Sequence, residues 1–303
     1  MAALLAGETS EAQAGAFLIA MRLKGEAPGE LAGFAKAVRH ASAPLEADVG
    51  GRPVVACCGG YDGVASAPHL SVAAAATAAA CGAAIVMHCG STLGPKRGVT
   101  QADVLAGLGG PATPSAEQSA SMLERAGATL VYAPAVMPWW QRLRRIRDDI
   151  GVRSPLHAAE RLQAFFGARR FVIGFTHSPY SGRILGALDQ LGAARAVAVR
   201  GIEGSDVVRP GRPTAFAAEG PLELPEELGQ RLPSEGGAEA SATATRAVVA
   251  GELNGAVEQA VALSAGLRLY AAGLCEDPRA GLQRGRAALR DGSAAAALEA
   301  MVG

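Results

Sequence analysis

Apolar positions along the chain follow two rhythms, one of helical period and one of short unbroken runs, and they alternate. Glu8–Lys24 sets Ala12, Ala16, Leu18, Ile19 and Met21 at near-helical spacing. A Gly25–Gly29 turn follows, then a second helix over Glu30–Ala43, and Pro44 opens a linker. Pro53–Cys58 is short and apolar, as a buried strand requires. After it come a glycine-rich turn, Gly59–Gly63, and an alanine-rich helix, Ser71–Cys81. Ala83–His88 repeats the strand pattern and runs into a second glycine-rich loop, Cys89–Gly98. Helices over Ala102–Leu108 and Glu117–Ala126 precede a third strand, Thr129–Ala133.

The segments Pro138–Asp149 and Ser154–Phe166 read as helices. Strand Phe171–Thr176, helix Tyr180–Leu191 and strand Ala196–Arg200 resume the alternation. Asp206–Gly237 is rich in Pro, Gly and Glu and reads as loops or hairpins. Helices are expected over Thr245–Gly251, Glu258–Ala272, Pro278–Leu289 and Ser293–Met301. Strands alternating with helices predict an α/β fold with a mainly parallel sheet and right-handed crossovers.

Composition sharpens this picture. Of 303 residues, 50% are apolar but only 4% aromatic, so the core must be built from small side chains packed closely. Formal net charge is zero, which gives no global field toward nucleic acid or a membrane surface, so any anion site must be local. Five cysteines fit no zinc spacing and are expected as buried thiols in a cytoplasmic protein. No signal peptide and no membrane-spanning stretch is expected, because Glu8, Glu11, Arg22 and Lys24 surround the one early apolar run.

Parallel sheets bind ligands at the carboxyl ends of their strands, where both glycine loops fall. In the first, Gly59, Gly60, Asp62 and Gly63 precede the helix from Ser71, and glycines let backbone amides approach a phosphate. The second offers His88, Ser91, Lys96 and Arg97. Each loop reads equally as a tight turn. His69, His88, His157 and His177 serve either a structural hydrogen bond or a ligand contact. Asp62 caps its turn or faces a metal, and Asp206 is a loop residue or a metal ligand. Arg142, Arg144, Arg145, Arg147 and Arg153 form the dense basic cluster, beside Trp139 and Trp140. It is either a solvated helix face or a surface for a polyanion, with indoles to stack on bases.

Taken together, the segments resemble the anthranilate phosphoribosyltransferase family, glycosyltransferase family 3. Ala16–Glu26 is similar to its helical entry, and Gly59–Gly63 stands where the family has its Gly-Thr-Gly-Gly-Asp diphosphate loop. Ala102–Gly109, Tyr132–Ala135 and Ile146–Ser154 follow further family motifs. The resemblance implies a small helical domain, residues 1–45 completed by about 137–165. Beside it stands an α/β domain of 46–136 and 166–303, of the nucleoside phosphorylase/phosphoribosyltransferase kind. It implies a homodimer that carries phosphoribosyl diphosphate with magnesium, and it puts Arg147 against the acceptor.

The departures from the family pattern fall on its chemistry. Cys58 replaces the loop's Thr, Tyr61 is inserted before Asp62, and His69 replaces an Asn. The strand-end lysine is lost at Met87, with Lys96 and Arg97 nearby, and the acceptor-pocket His becomes Met137. The metal-binding Asp-Glu pair reads Asp206-Val207, with Glu203 close by, and magnesium needs oxygen ligands. His157–Leu162 replaces a further family motif. Similar departures mark the divergent YbiB-type branch, which binds nucleic acid.

The expectation is therefore a non-canonical member with a degenerate phosphoribosyl diphosphate site, binding single-stranded nucleic acid or a phosphorylated small molecule. Phosphoribosyl or pentosyl transfer to another acceptor, with Mg and Asp206 as its ligand, is the alternative. Convergence of Lys96, Asp206 and the Gly59–Gly63 amides on one space favours transfer. Tyr61 filling that space counts against it.

Overall fold

The protein is described from a computed structural model covering residues 1–177, 179–225 and 231–303. Among these residues seven strands form one sheet: β1 (Val54–Cys58), β2 (Ala84–Cys89), β3 (Ala128–Tyr132), β4 (Arg170–Phe175), β5 (Arg195–Arg200), β6 (Ala215–Ala217) and β7 (Gly220–Pro221). Their order is β3-β2-β1-β4-β5-β6-β7, parallel from β3 through β5, with β6 and β7 added antiparallel.

Alternate residues of each strand face opposite ways, and both faces are covered. Val55, Cys57, Ile85, Met87, Val172 and Val197 enter one core. Ala56, Cys58, Val86, Phe171, Ile173 and Ala198 enter the other. The first core lies under α4 (Ser71–Ala80), α5 (Gln101–Gly107), α6 (Ala116–Ala126), α11 (Ala238–Val249), α12 (Ala256–Ala272), α13 (Pro278–Arg290) and α14 (Ser293–Val302). Residues Ser71–Ala79 of α4 are all buried and six of the nine are Ala, so the scarcity of aromatics is met by close helix packing.

The second face carries the helical layer. It comprises α1 (Ala2–Ala6), α2 (Glu11–Lys24), α3 (Pro28–His40), α7 (Ala133–Val136), α8 (Trp140–Ile150), α9 (Pro155–Glu160) and α10 (Pro179–Gln190). Within it, α2 packs on α8 and α9, while α3 packs on α9 and α10. Trp139, Trp140, Leu143 and Ile146 are buried there.

The expected elements form, with three differences of extent. The helix expected over Ser154–Phe166 ends at Glu160, and the chain turns at Phe165–Gly167 with Phe166 at φ 53. Successive helical residues diverge by about 100°, whereas this turn buries both Phe165 and Phe166 in one core. The helix expected from Thr245 begins at Ala238, where Ser241 and Ala242 are buried without an apolar stripe to announce it. Ala133–Val136 forms a short helix after β3 where the sequence pattern predicts none. In the stretch Asp206–Gly237, β6 and β7 make a hairpin, and residues 226–230 lie outside the described residues.

No described helix is long and apolar enough to cross a membrane.

Candidate functional site

The chain runs outward from β1 to β2 and β3, then crosses back to β4 and β5 on the other side. β1 and β4 thus flank the point where strand order reverses, and an open α/β sheet leaves a crevice there beyond its strand ends. A cleft of about 650 Å³ opens at this point. Its floor is Gly60, Tyr61 and Asp62 after β1, Phe175 and Thr176 at the end of β4, and Glu203 and Gly204 after β5. Its walls are Arg22, Leu23, Gly25 and Glu26 at the end of α2, Gly151–Ser154 between α8 and α9, His157, Ala158 and Arg161 on and just after α9, and Tyr180 and Arg183 of α10.

Four guanidinium groups line this space: Arg22, Arg153, Arg161 and Arg183. Arg153 is neutralised, since its Nε and Nη2 donate to Oδ2 of Asp62 at 2.9 and 2.7 Å. The others meet no carboxylate among the described residues. Arg22 donates to the Arg153 carbonyl, Arg161 donates to the Gly174 carbonyl at 2.6 Å, and Arg183 lies over the Tyr180 ring at 5.6 Å. Three acids, Glu26, Asp62 and Glu203, line the same space. Glu26 accepts from the Tyr180 hydroxyl, and Glu203 accepts from Ser66 and pairs with Lys96 at 3.1 Å. Burial opposes charge on Glu203, yet Ser66 and the Lys96 ammonium bring its carboxyl down to about 2. The cleft therefore keeps a positive excess.

Of the residues singled out from sequence, Gly60 and Asp62 line the cleft. The glycine turn spends its amides internally: Gly60 N–H donates to the Gly204 carbonyl at 2.7 Å, and Gly63 N–H to the Gly60 carbonyl at 2.5 Å. Gly59 presses on the Ser205–Asp206 backbone, where a Cβ would come within 2.6 Å. A Cβ at Gly63 would fall 2.2 Å from the Gly98 carbonyl.

Tyr61 is turned inward beside His88, ring centroids 6.0 Å apart, and burial holds its phenol well above the ordinary range. His88 is fully buried, its Nε2 at 2.8 Å from the Glu160 carbonyl, and His69 is buried behind the turn. Desolvation takes both imidazoles down to about 4; His88 holds the Glu160 carbonyl, while both ring nitrogens of His69 are buried without a hydrogen-bond partner. Ser71 donates to Asp206, and Ser91 stands beside Tyr132. Arg97 is half exposed and pairs with Asp148 at 3.0 Å.

The metal reading of Asp206 is corrected by its partners. Asp206 is wholly buried, with Oδ1 accepting from Ser71 and Oδ2 from Arg268 at 2.5 Å. Val207 offers no oxygen and Glu203 is held by Ser66 and Lys96, so these residues do not fit a magnesium ion. No group of His, Cys, Asp or Glu among the described residues is placed to hold one. Lys96 does reach the loop, its Nζ 4.0 Å from Asp62 Oδ1 and 3.2 Å from the Glu203 carbonyl, whereas the Asp206 carboxylate is turned to Ser71 and Arg268.

The acceptor and polyanion readings of Arg147 are corrected likewise. Arg147 is buried, its Nη1 at 2.8 and 2.9 Å from the two Glu160 oxygens, with its guanidinium 5.2 Å from the Trp140 ring. Arg142 reaches back to the Leu4 and Leu5 carbonyls at the end of α1, and Arg144 pairs with Asp148 at 3.5 Å. Arg145 points to solvent. Helical spacing splits the cluster, and the buried Trp139 and Trp140 present no face for base stacking.

Sequence reading missed Arg22, Arg161, Arg183 and Tyr180. They lie on three separate helical segments, and no local spacing joins them. The signals available were motif runs that contain them, Ala16–Glu26 with Arg22, His157–Leu162 with Arg161 and Thr176–Tyr180 with Tyr180, none of which marks the side chain that turns to the cleft.

Fold and cleft together define a two-domain α/β protein with a cleft at the switch point of a parallel sheet, walled by helices. The "Glycosyl transferase family, a/b domain" matches residues 53–295, and the "Glycosyl transferase family, helical bundle domain" matches residues 1–42. Anthranilate phosphoribosyltransferase of Thermus thermophilus is 33% identical over 100% of this chain and 92% of its own length. The Rubrobacter xylanophilus enzyme of that name is 31% identical over 99% and 89%. The crystal structure of the Thermus thermophilus enzyme superposes with a TM-score of 0.85 at 32% identity, covering 99% of this chain and 92% of that one. The Saccharomyces cerevisiae enzyme in complex with PRPP and Mg shares the fold, with a TM-score of 0.80 at 17% identity over 96% and 84%. The chain belongs to glycosyltransferase family 3 and is anthranilate phosphoribosyltransferase-like in sequence and fold.

Proposed function

We propose that this protein binds a phosphorylated small molecule in the cleft between β1 and β4, without metal, and that it does not transfer phosphoribose to anthranilate. The observation that carries the reading is the set of three guanidinium groups, Arg22, Arg161 and Arg183, facing one cleft without carboxylate partners. Guanidinium forks match phosphate oxygens, and the volume lies in the range of small-molecule sites. The yeast relative's complex with PRPP makes a phosphorylated pentose the first ligand to try.

Loss of the family reaction rests on different groups. Charge developing on a diphosphate leaving group must meet preorganised donors. Here the Gly60 and Gly63 amides, Lys96 and Asp206 already have internal partners. Arg147 is likewise occupied by Glu160.

Calorimetry with phosphoribosyl diphosphate and with ribose 5-phosphate, each with and without Mg²⁺, tests both parts. Binding is expected to be indifferent to Mg²⁺ and to weaken at least roughly tenfold in Arg161→Ala/Arg183→Ala, the loss of one charged hydrogen bond or more. Anthranilate fluorescence should persist. Mg²⁺-dependent consumption of anthranilate, or undiminished binding by the double variant, rejects the proposal. Binding of single-stranded DNA alone, with a steep salt slope, replaces the small molecule by nucleic acid.

A further inference from the structure

Beneath the glycine turn, the connection from β5 to β6 folds back on itself with very little space. Gly59, Gly174 and Gly201 admit it. A Cβ at these positions would come within 2.6 Å of Asp206 N, 2.1 Å of Ser205 O and 1.6 Å of Ser205 O. The turn is closed by Ile202 N–H to the Val207 carbonyl, and Gly204 presents its carbonyl to Gly60. The segment therefore sets where the glycine turn stands in the cleft.

One buried charge lies in this segment. Asp206 has no exposed surface, and a carboxylate removed from water needs a cation or several donors. The cation comes from the middle of α12. The Arg268 side chain, itself fully buried, donates Nη2 to Asp206 at 2.5 Å and Nη1 to the Ser264 carbonyl at 2.9 Å. Ser264 accepts at its hydroxyl from Val208 N–H at 3.0 Å, so α12 grips the segment at two points one helical turn apart. Ser71, at the start of α4, supplies the remaining donor.

We propose that Arg268 is a resident cation that stands in for a divalent ion at Asp206. It closes the carboxylate to metal and holds the 201–208 turn under Gly60, so that the cleft is assembled in the absence of any ion. Arg268 is a positioning residue: it does not line the cleft and acts through Asp206 and Gly204. This inference does not depend on which ligand the cleft takes.

The test follows the thermal midpoint of ligand-free protein with and without millimolar MgCl₂ or guanidinium chloride. The variants are Arg268→Met, Arg268→Lys and Arg268→Met/Asp206→Asn. Wild type is expected to be indifferent to Mg²⁺. Arg268→Met leaves Asp206 unpaired and loses several degrees, part of which Mg²⁺ or dilute guanidinium restores. Arg268→Lys keeps more of the midpoint than Arg268→Met, and the double variant recovers without added cation, because both charges are gone. Wild type stabilised by Mg²⁺ overturns the proposal. So does an Arg268→Met midpoint that falls without responding to either cation while the double variant falls equally. If Arg268→Met does not fold at all, the wild-type response and the double variant still decide.

Discussion

Arg147 and Glu160 bury opposite charges side by side, with both side chains wholly removed from water. Burial pushes the Glu160 carboxyl up, and the Arg147 guanidinium pulls against that. An unpaired charge left in such a place is far more costly than the pair is stabilising. Glu160→Gln is therefore expected to lower unfolding free energy by roughly 3–5 kcal/mol in urea titration. Arg147→Met/Glu160→Leu should recover most of it. A single variant within about 1 kcal/mol of wild type would show the pair to be a surface-like contact. Residue identity did announce a basic helix here, but charge type alone does not say which arginine turns inward. That depends on Trp140 and α9 standing across from it, and on the resulting burial.

At the scale of elements, two glycines of similar sequence appearance carry opposite demands. Gly174 lies in β4, and a Cβ there would meet the Ser205 carbonyl at 2.1 Å, so the 201–206 turn would have to move off the strand. Gly182 sits in α10, with nothing within 4 Å of its Cβ position. Gly174→Ala is expected to destabilise by several kcal/mol and to loosen the cleft floor. Gly182→Ala should stabilise by about 1 kcal/mol through helix propensity. Chemical denaturation of both variants checks this pair, and equal effects would mean that backbone approach at β4 is unimportant. The helix and strand extents were legible because each segment's own periodicity states them. The early end of α9 and the early start of α11 were not, because contacts with other segments set them.

For the whole molecule, buried imidazoles predict the response to acid. His69 and His88 fall from the usual 6.5 to about 4 on burial, and His157 falls well below its ordinary value, burial first and then Arg147. A group whose folded pKa is depressed stabilises the fold above its unfolded pKa. That stability is lost as pH falls toward the folded value. Between about pH 6.5 and 4 the unfolded chain binds protons that the native state refuses. Each histidine then contributes a loss of up to about 1.4 kcal/mol per pH unit. Glu160, raised by burial, works with the opposite sign, while Glu203, brought down from 4.5 to about 2, adds to the loss in stronger acid. The thermal midpoint should hold near neutrality and decline once pH drops below 6.5. A midpoint level down to pH 4 would contradict this.

The linear order of residues determined by itself the alternation of strands and helices, the small-residue core and the family resemblance. Those depend on periodicity and on motifs within a few residues of one another. It also located the glycine turn and the altered carboxylate pair. Only the tertiary structure decided which charges remain open to a ligand. It takes Arg147 for Glu160, Arg153 for Asp62, Lys96 for Glu203 and Arg268 for Asp206, and leaves Arg22, Arg161 and Arg183 to the cleft. The physical reason is that burial and pairing belong to points in space, and these pairs join residues up to 107 positions apart.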